Sequence, residues 1–279
     1  MAFVENNVIP ARLNIGLQEV VNHVLTWAGN YRTIYIKPNF TTPAPLCGVS
    51  TEEDLVRKLV SSLAAPQRSI FLCESDTKAR TAQEAFQVHL GGEIPEGCVL
   101  ANLTTWNDFF EIETRSGIWT LPAFLRNHDA LLVNLTCLKD NDTYRTSGPV
   151  KNLYGLVREK KKERIHRFSI DYLFDLLWTI IDNLRINIVN LVDGRWHWRG
   201  DFVNGKAVDR GVMALSRNLM ALEHWTTEQC VTFGHCRTVL DERPYCTGKI
   251  REGDITVFSL PERARHQFVD KNQGKEAGR

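Results

Sequence analysis

The alternation of short β-rich runs with helical segments sets the tightest limit on what this chain can fold into. Residues 33–36, 69–73, 130–135 and 186–192 read as strands, and segments 14–29, 51–65, 77–90 and 169–184 between them read as helices. The first helix carries Ile15, Val20, Val24 and Trp27 for one apolar side, and the second carries Leu55, Leu59 and Leu63 at helical spacing. Ser50 or Thr51, followed by Glu53 or Asp54, completes a capping-box pattern ahead of the second helix. Residues 98–103 and 109–112 predict two further strands, 121–126 a short helix, 207–231 a mostly helical segment and 254–260 a last strand. Strands alternating with helices imply an α/β fold, a mainly parallel, Rossmann-like three-layer sheet with helices on both faces. Without an internal repeat or a low-complexity linker, residues 1–269 are expected to form a single domain, with 270–279 as a loose polar tail.

Charge and apolar patterning exclude several partner classes. Lys plus Arg number 34 against 33 Asp plus Glu, and this balance lacks the basic excess of a dedicated nucleic-acid binder. The longest apolar stretch, 168–192, is broken by Asp171, Asp175, Asp182 and Arg185, so no membrane span is expected. The first ten residues hold no basic segment followed by an apolar run, which argues against a secretory signal. Seven cysteines without a Cys-x-x-Cys pair predict reduced, mostly packed thiols and a cytoplasmic setting. The oligomeric state is left open.

Chemistry concentrates around Ser147 to Gly155, which reads as a ligand-facing loop. Lys151 and Asn152 sit between Gly148 and Gly155, and Pro149 stiffens the segment. Ligands in open α/β sheets bind outside the carboxyl ends of the strands. The predicted strands end in Lys37 and Asn39, in Glu74 with Asp76, in Asn134 with Lys139, and in Asp193. These side chains, with Lys151 and Asn152, are candidates for one crevice that holds a carboxylate or phosphate. Polar loops are also what any soluble protein places between strands and helices.

Asp171, Asp175 and Asp182 fall within about 40° of one another on a helix. They form either a solvated stripe or a carboxylate face turned to the crevice, with Asp171 the better placed. The basic run 158–167 is a solvated helix or loop, or else a lid whose His166 moves protons. His224, Cys230, His235, Cys236 and Cys246 are irregularly spaced for structural zinc, so no metal ligand is assigned. Trp196-His197-Trp198 reads as covering the crevice edge or packing under a loop, with aromatic stacking on a ligand ring as the lesser reading. No Gly-x-Gly-x-x-Gly follows the first strand, and neither a Walker lysine motif nor a Gly-x-Ser-x-Gly elbow occurs.

Three segments resemble a known family. They are Ile36-Lys37-Pro38-Asn39-Phe40 with Thr42-Pro43, Asp129 to Leu135 with Lys139 and Gly148 to Gly155, and Ile188 to Gly194. Together they resemble the uncharacterised family catalogued as domain of unknown function 362, over about residues 33–225. The resemblance implies little agreed chemistry. Many members carry lysine-threonine-histidine where this chain has Lys139-Asp140-Asn141, and the ferredoxin-like cysteine module of some members is missing. A fainter similarity leads to the amino-terminal domain of nickel-pincer lactate racemases, through Thr41-Thr42-Pro43 and Ser147 to Lys151. It implies that Lys151 faces the active crevice, and it does not imply a nickel cofactor; the cofactor is left unknown.

The expected function is an enzyme acting on a small anionic metabolite, in a specialised biosynthetic pathway, by proton abstraction, elimination, isomerisation or group transfer. Lys37 and Lys151 would hold the anion in one shared pocket while a carboxylate (Asp171) or His166 moves a proton. The alternative is a non-catalytic ligand-binding or redox-accessory protein that uses the same crevice.

Overall fold

The computed structural model describes residues 11–142, 144–160, 162, 170–201, 204–230, 237–242 and 254–259. In chain order its elements are α1 (Ala11–Ala28), β1 (Thr33–Lys37), α2 (Glu53–Leu63), β2 (Ser69–Glu74), α3 (Ala82–His89) and β3 (Val99–Asn102). A hairpin of β4 (Phe109–Thr114) and β5 (Gly117–Pro122) follows, then β6 (Ala130–Asn141), β7 (Arg145–Thr146) and α4 (Pro149–Asn152). The chain continues through α5 (Ile170–Asn183), β8 (Asn187–Arg199), β9 (Lys206–Ser216), α6 (Leu219–Gln229) and β10 (Thr256–Ser259). The main sheet runs β10-β9-β8-β6-β1-β2-β3, with β7 folded back on β6. β8, β6, β1, β2 and β3 are parallel, and β9 and β10 extend the sheet antiparallel. Because β1 has β2 on one side and β6 on the other, the strand order reverses between β1 and β6, where α/β sheets open a crevice.

Alternation along the strands builds the three layers. Ile34, Ile36, Leu72, Leu131 and Val133 point to one face, where Val20, Val24, Leu55, Leu59, Leu63 and Phe86 of α1–α3 cover them. Tyr35, Cys73 and Leu132 point to the other, beneath Trp119 and Leu121 of the hairpin and Leu173, Leu176 and Ile180 of α5. Each fully buried leucine contributes roughly 1.5–3 kcal/mol of apolar burial. No helix among the described residues is long and apolar enough to cross a membrane.

Several local expectations are corrected. Residues 207–216 are strand β9 rather than helix, and β8 runs straight through Asp193 and Gly194 to Arg199 instead of turning there. The β8–β9 register shifts between Gly194 and Trp196, so a bulge takes up the glycine without ending the strand. A Cβ on Gly194 would lie 2.9 Å from Val212 Cγ2, so only glycine lets the two strands approach this closely. The hairpin turns instead at Gly200, whose φ of +112° suits glycine. β9 misled the pattern because both of its faces are covered: Met213 and Leu215 join the core under α1–α3, while Val212 and Ala214 pack on the other face with Leu222 of α6, so 212–215 is continuously apolar instead of alternating. From Pro149 onward the Ser147 to Gly155 segment is helical rather than an open loop, with Pro149 in the first turn of α4 and a 3-10 turn over Leu153–Leu156. The tail 270–279 lies outside the described residues.

The capping box sits elsewhere too. α2 starts without a side-chain cap, since Ser50 bonds Leu46 and the Thr51 hydroxyl accepts the Asn39 N–H. It is α3 that has the reciprocal box, between Thr81 and Glu84. Replacing Thr81→Ala is expected to cost about 1 kcal/mol of unfolding free energy in a denaturant titration.

Candidate functional site

One rung of polar side chains crosses the sheet where β1 and β6 part. Lys37, Asn134, Asn190 and Ser216 are paired across β1, β6, β8 and β9, and each is at most 2% exposed. Their neighbours along the strands are apolar and face α1–α3, so the rung points to the opposite face, onto α4. Asn134 Nδ2 donates to Asn190 Oδ1 (2.9 Å) and to Pro149 O (3.0 Å). Asn152 Nδ2 in turn donates to Asn134 Oδ1 (2.8 Å) and Leu135 O (2.9 Å). A third acceptor, Lys37 O, is 3.4 Å away. Inside a protein an amide left without such partners costs about 1–3 kcal/mol. Asn134 and Asn152, expected to bind substrate, are therefore occupied in clamping α4 onto the strand ends.

The clamp leaves two charged neighbourhoods, one at each glycine. Gly155 makes room for Lys37: a Cβ there would lie 2.6 Å from Cε and 2.7 Å from Nζ of that lysine. Lys37 Nζ donates to Glu74 Oε2 (3.0 Å) and Pro38 O (2.6 Å). Lys162 Nζ reaches Ser75 Oγ in the same region, and burial pulls its pKa down to about 8. Gly148 makes room for Glu223, whose Oε2 would sit 2.6 Å from a Cβ at that position. The same oxygen accepts the Val150 N–H at 2.9 Å. The spacing of these two glycines thus records two buried charges and not an unusual φ, since neither is among the positive-φ positions.

Lys151 faces a cleft lined by Tyr144, Thr146, Leu173, Phe174, Leu177 and Glu223. Arg145, with a φ of +62°, turns the β6–β7 hairpin so that Tyr144 and Thr146 fall beside it. Lys151 Nζ donates to Ser147 Oγ (3.3 Å) and lies 4.1 Å from the centre of the Tyr144 ring. Protein surrounds the ammonium, and this desolvation, reinforced by the nearby Lys139 charge, pulls its pKa down to about 7 against the opposing pull of Asp142 and Glu223. Burial pushes Glu223 up to about 7, although the Val150 N–H and Lys151 favour its anion. The cleft encloses about 230 Å³ including its open mouth, but its floor admits only about one water-sized molecule.

Lys139 and Asp193 lie on the far side of the clamp. Lys139 Nζ donates to Val49 O (2.7 Å) and Asn39 Oδ1 (3.3 Å), and burial pulls its pKa down to about 8. Asp193 receives Arg195 Nε and Nη2, while the same guanidinium forks onto Asp54 at 2.6 and 2.8 Å. This Asp–Arg–Asp clip joins β8 to the first turn of α2, and it holds Asp54 below the usual carboxylate range despite burial. Asp193 is thereby committed to structure. Gly48 lets the 46–50 loop lie against β8: with φ +73°, a Cβ there would be 3.0 Å from the Trp198 nitrogen.

Three expectations separate here. Lys37 and Lys151 do not share a pocket, because attraction to Glu74 turns Lys37 away from the cleft that Lys151 lines. Asp171 does not face Lys151; its half-exposed carboxylate pairs with Arg237 at the outer end of α5. Asp175 likewise pairs with Arg115, so the aspartate stripe is the outer side of a helix whose Leu173, Phe174 and Leu177 wall the cleft. His166 lies outside the described residues. Glu223 and Tyr144 escaped the sequence reading. Glu223 does occupy the buried stripe of α6 with Leu219, Leu222 and Thr226, a placement that helical spacing discloses once the helix start is known.

No curated protein matches this chain, and the likeness to lactate racemases gains no support from that comparison. A family model does match, over residues 34–228, from the second residue of β1 to the last turn of α6. That span contains Lys37, Lys139, the whole α4 clamp, Lys151 and Glu223. By this match over more than half its length, the chain belongs to the family described as "Domain of unknown function (DUF362)".

Proposed function

We propose that the chain is an enzyme that acts on a small anionic metabolite by proton transfer, with Lys151 as base and Glu223 as its proton partner. The observation that supports this reading is the pair itself, an amine and a carboxyl both brought to about 7 beside one cleft. An ordinary lysine holds its proton at neutral pH, whereas a general base works best with a pKa near the working pH. Lys139 lies behind Lys151 and, in its charged form, favours an anionic group in front of it. The reaction class is abstraction of a proton next to a carbonyl or carboxylate, leading to isomerisation or elimination. Asp171 has no part in it, since its carboxylate is paired with Arg237. Free thiols at Cys73, Cys137 and Cys230 fit a reducing, cytoplasmic setting, which we include in the proposal.

The narrow floor of the cleft favours a second reading, a binding protein that holds a small anion without turnover. Solvent exchange separates the two. Incubated in D2O with a panel of small keto acids, carboxylates and phosphate esters, the wild-type protein is expected to replace a C–H next to the acyl group, read by proton NMR. Lys151→Met should lower that rate by about 10²–10⁴-fold. An unchanged rate in Lys151→Met overturns the assignment, and saturable binding without exchange establishes the second reading.

Stability against pH tests the pair without any substrate. Glu223 binds its proton more tightly folded than unfolded, so its contribution is full below about 4.5 and lost as pH rises to about 7. Lys151 binds its proton less tightly when folded, so its contribution grows as pH rises from about 7 towards 10.5. Taken relative to Glu223→Gln, wild-type stability should therefore fall across the first window. Relative to Lys151→Met it should rise across the second. Chemical denaturation at several pH values measures both, and parallel curves would show that neither group is shifted.

A further inference from the structure

β6, β8 and α6 meet at a second cluster that the lysine chemistry does not use. Asp140, His197 and Cys230 present an oxygen, a nitrogen and a sulfur that all lie within 4.8 Å of one another. The residues are 3%, 0% and 5% exposed. His197 Nε2 is 2.8 Å from Asp140 Oδ1, Asp140 Oδ2 accepts the Gly200 N–H at 3.2 Å, and Cys230 Sγ is 3.5 Å from Lys139 O. The other ring nitrogen of His197, Nδ1, is buried without a hydrogen-bond partner. Around the sulfur the wall is apolar, built from Leu138, Val192, Ala214 and Leu222.

We propose that Asp140, His197 and Cys230 bind one divalent cation of borderline softness, of which Zn2+ is the natural probe. A carboxylate, an imidazole and a thiolate are the donor types that zinc takes, whereas magnesium and calcium prefer oxygen alone. Two anionic donors neutralise a divalent ion, which offsets the cost of burying a carboxylate in an apolar wall. The Lys139 carbonyl oxygen lies close enough to the thiol to help close the shell. Complete burial makes this a structural site: the ion would join the ends of β6 and β8 to the end of α6, the helix that carries Glu223. Helical and strand spacing could not disclose the cluster, since its members are 57 and 33 residues apart in sequence.

Cobalt titration of the reduced, chelator-stripped full-length protein tests this. Wild type is expected to take up one Co2+ with a near-ultraviolet cobalt–thiolate band, and Zn2+ should displace it and raise Tm. Cys230→Ser should lose the band. His197→Gln should weaken Zn2+ by more than the about 10–100-fold that losing a merely supporting hydrogen bond costs. Cys236→Ser and Cys246→Ser should keep both band and affinity. A wild-type protein with no thiolate band, or a band that survives Cys230→Ser and vanishes in the Cys236 or Cys246 variant, overturns the proposal.

Discussion

The side-chain amide of Asn152 holds α4 to the strand ends. Through it a single turn of helix is bonded to the Asn134 side chain and to the Leu135 carbonyl of β6, with the end of β1 beside it. Asn134 completes the clamp from below by bonding both Pro149 and Asn190. A helix of four residues has no stability of its own, because nucleation fixes several torsions for one hydrogen bond. α4 therefore exists by virtue of this docking, together with Val150, Leu153 and Leu156 buried against the hairpin and α5. The orientation of Lys151 on one side, and the space under Gly155 on the other, both follow from where α4 is held.

Around that clamp the chain buries an unusual concentration of amines. Lys37 has its carboxylate, Glu74, at 3.0 Å, and this pair is self-contained. Lys139 is held mainly by neutral oxygens, while Lys151 has an aromatic face, a hydroxyl and a carboxyl that is itself pushed towards neutrality. Desolvation consequently dominates for both, and both are pulled towards neutral pH. In their charged forms these amines leave positive charge incompletely answered, and that is what motivates the proposal of an anionic ligand. The Asp54–Arg195–Asp193 clip shows the opposite arrangement, in which every charge is answered by a fork of hydrogen bonds and nothing is left for a ligand.

Much of the sheet was legible from the chain because β1, β2, β6 and the first part of β8 are short apolar runs bounded by polar residues and loops, and α5 is unmistakably amphipathic. What misled the reading was local pattern without its neighbours. β9 shows no clean alternation because both of its faces are packed, and Asp193-Gly194 looks like a turn although a bulge carries the strand through it. Around the candidate site the family-like motif was visible in the sequence, but the contacts its residues make were not. Asn134 and Asn152 have the chemistry of ligand-binding amides, and only the distances from their amide nitrogens to Asn190, Asn134 and backbone oxygens reveal that their donors are already used. Asp171 lies on the same helix as the cleft wall, yet on its outer side.

By itself the sequence determined the α/β class, the parallel centre of the sheet and the family. These depend on periodicity and on short-range motifs, both of which are properties of neighbouring residues. Tertiary structure alone decided which groups come near one another: Lys37 bonded to Glu74, Lys151 and Glu223 lining one cleft, and Asp140 beside His197 and Cys230. Electrostatics and coordination act over a few ångströms of space, and residues 37 or 72 positions apart in sequence have no spacing rule that foretells such proximity.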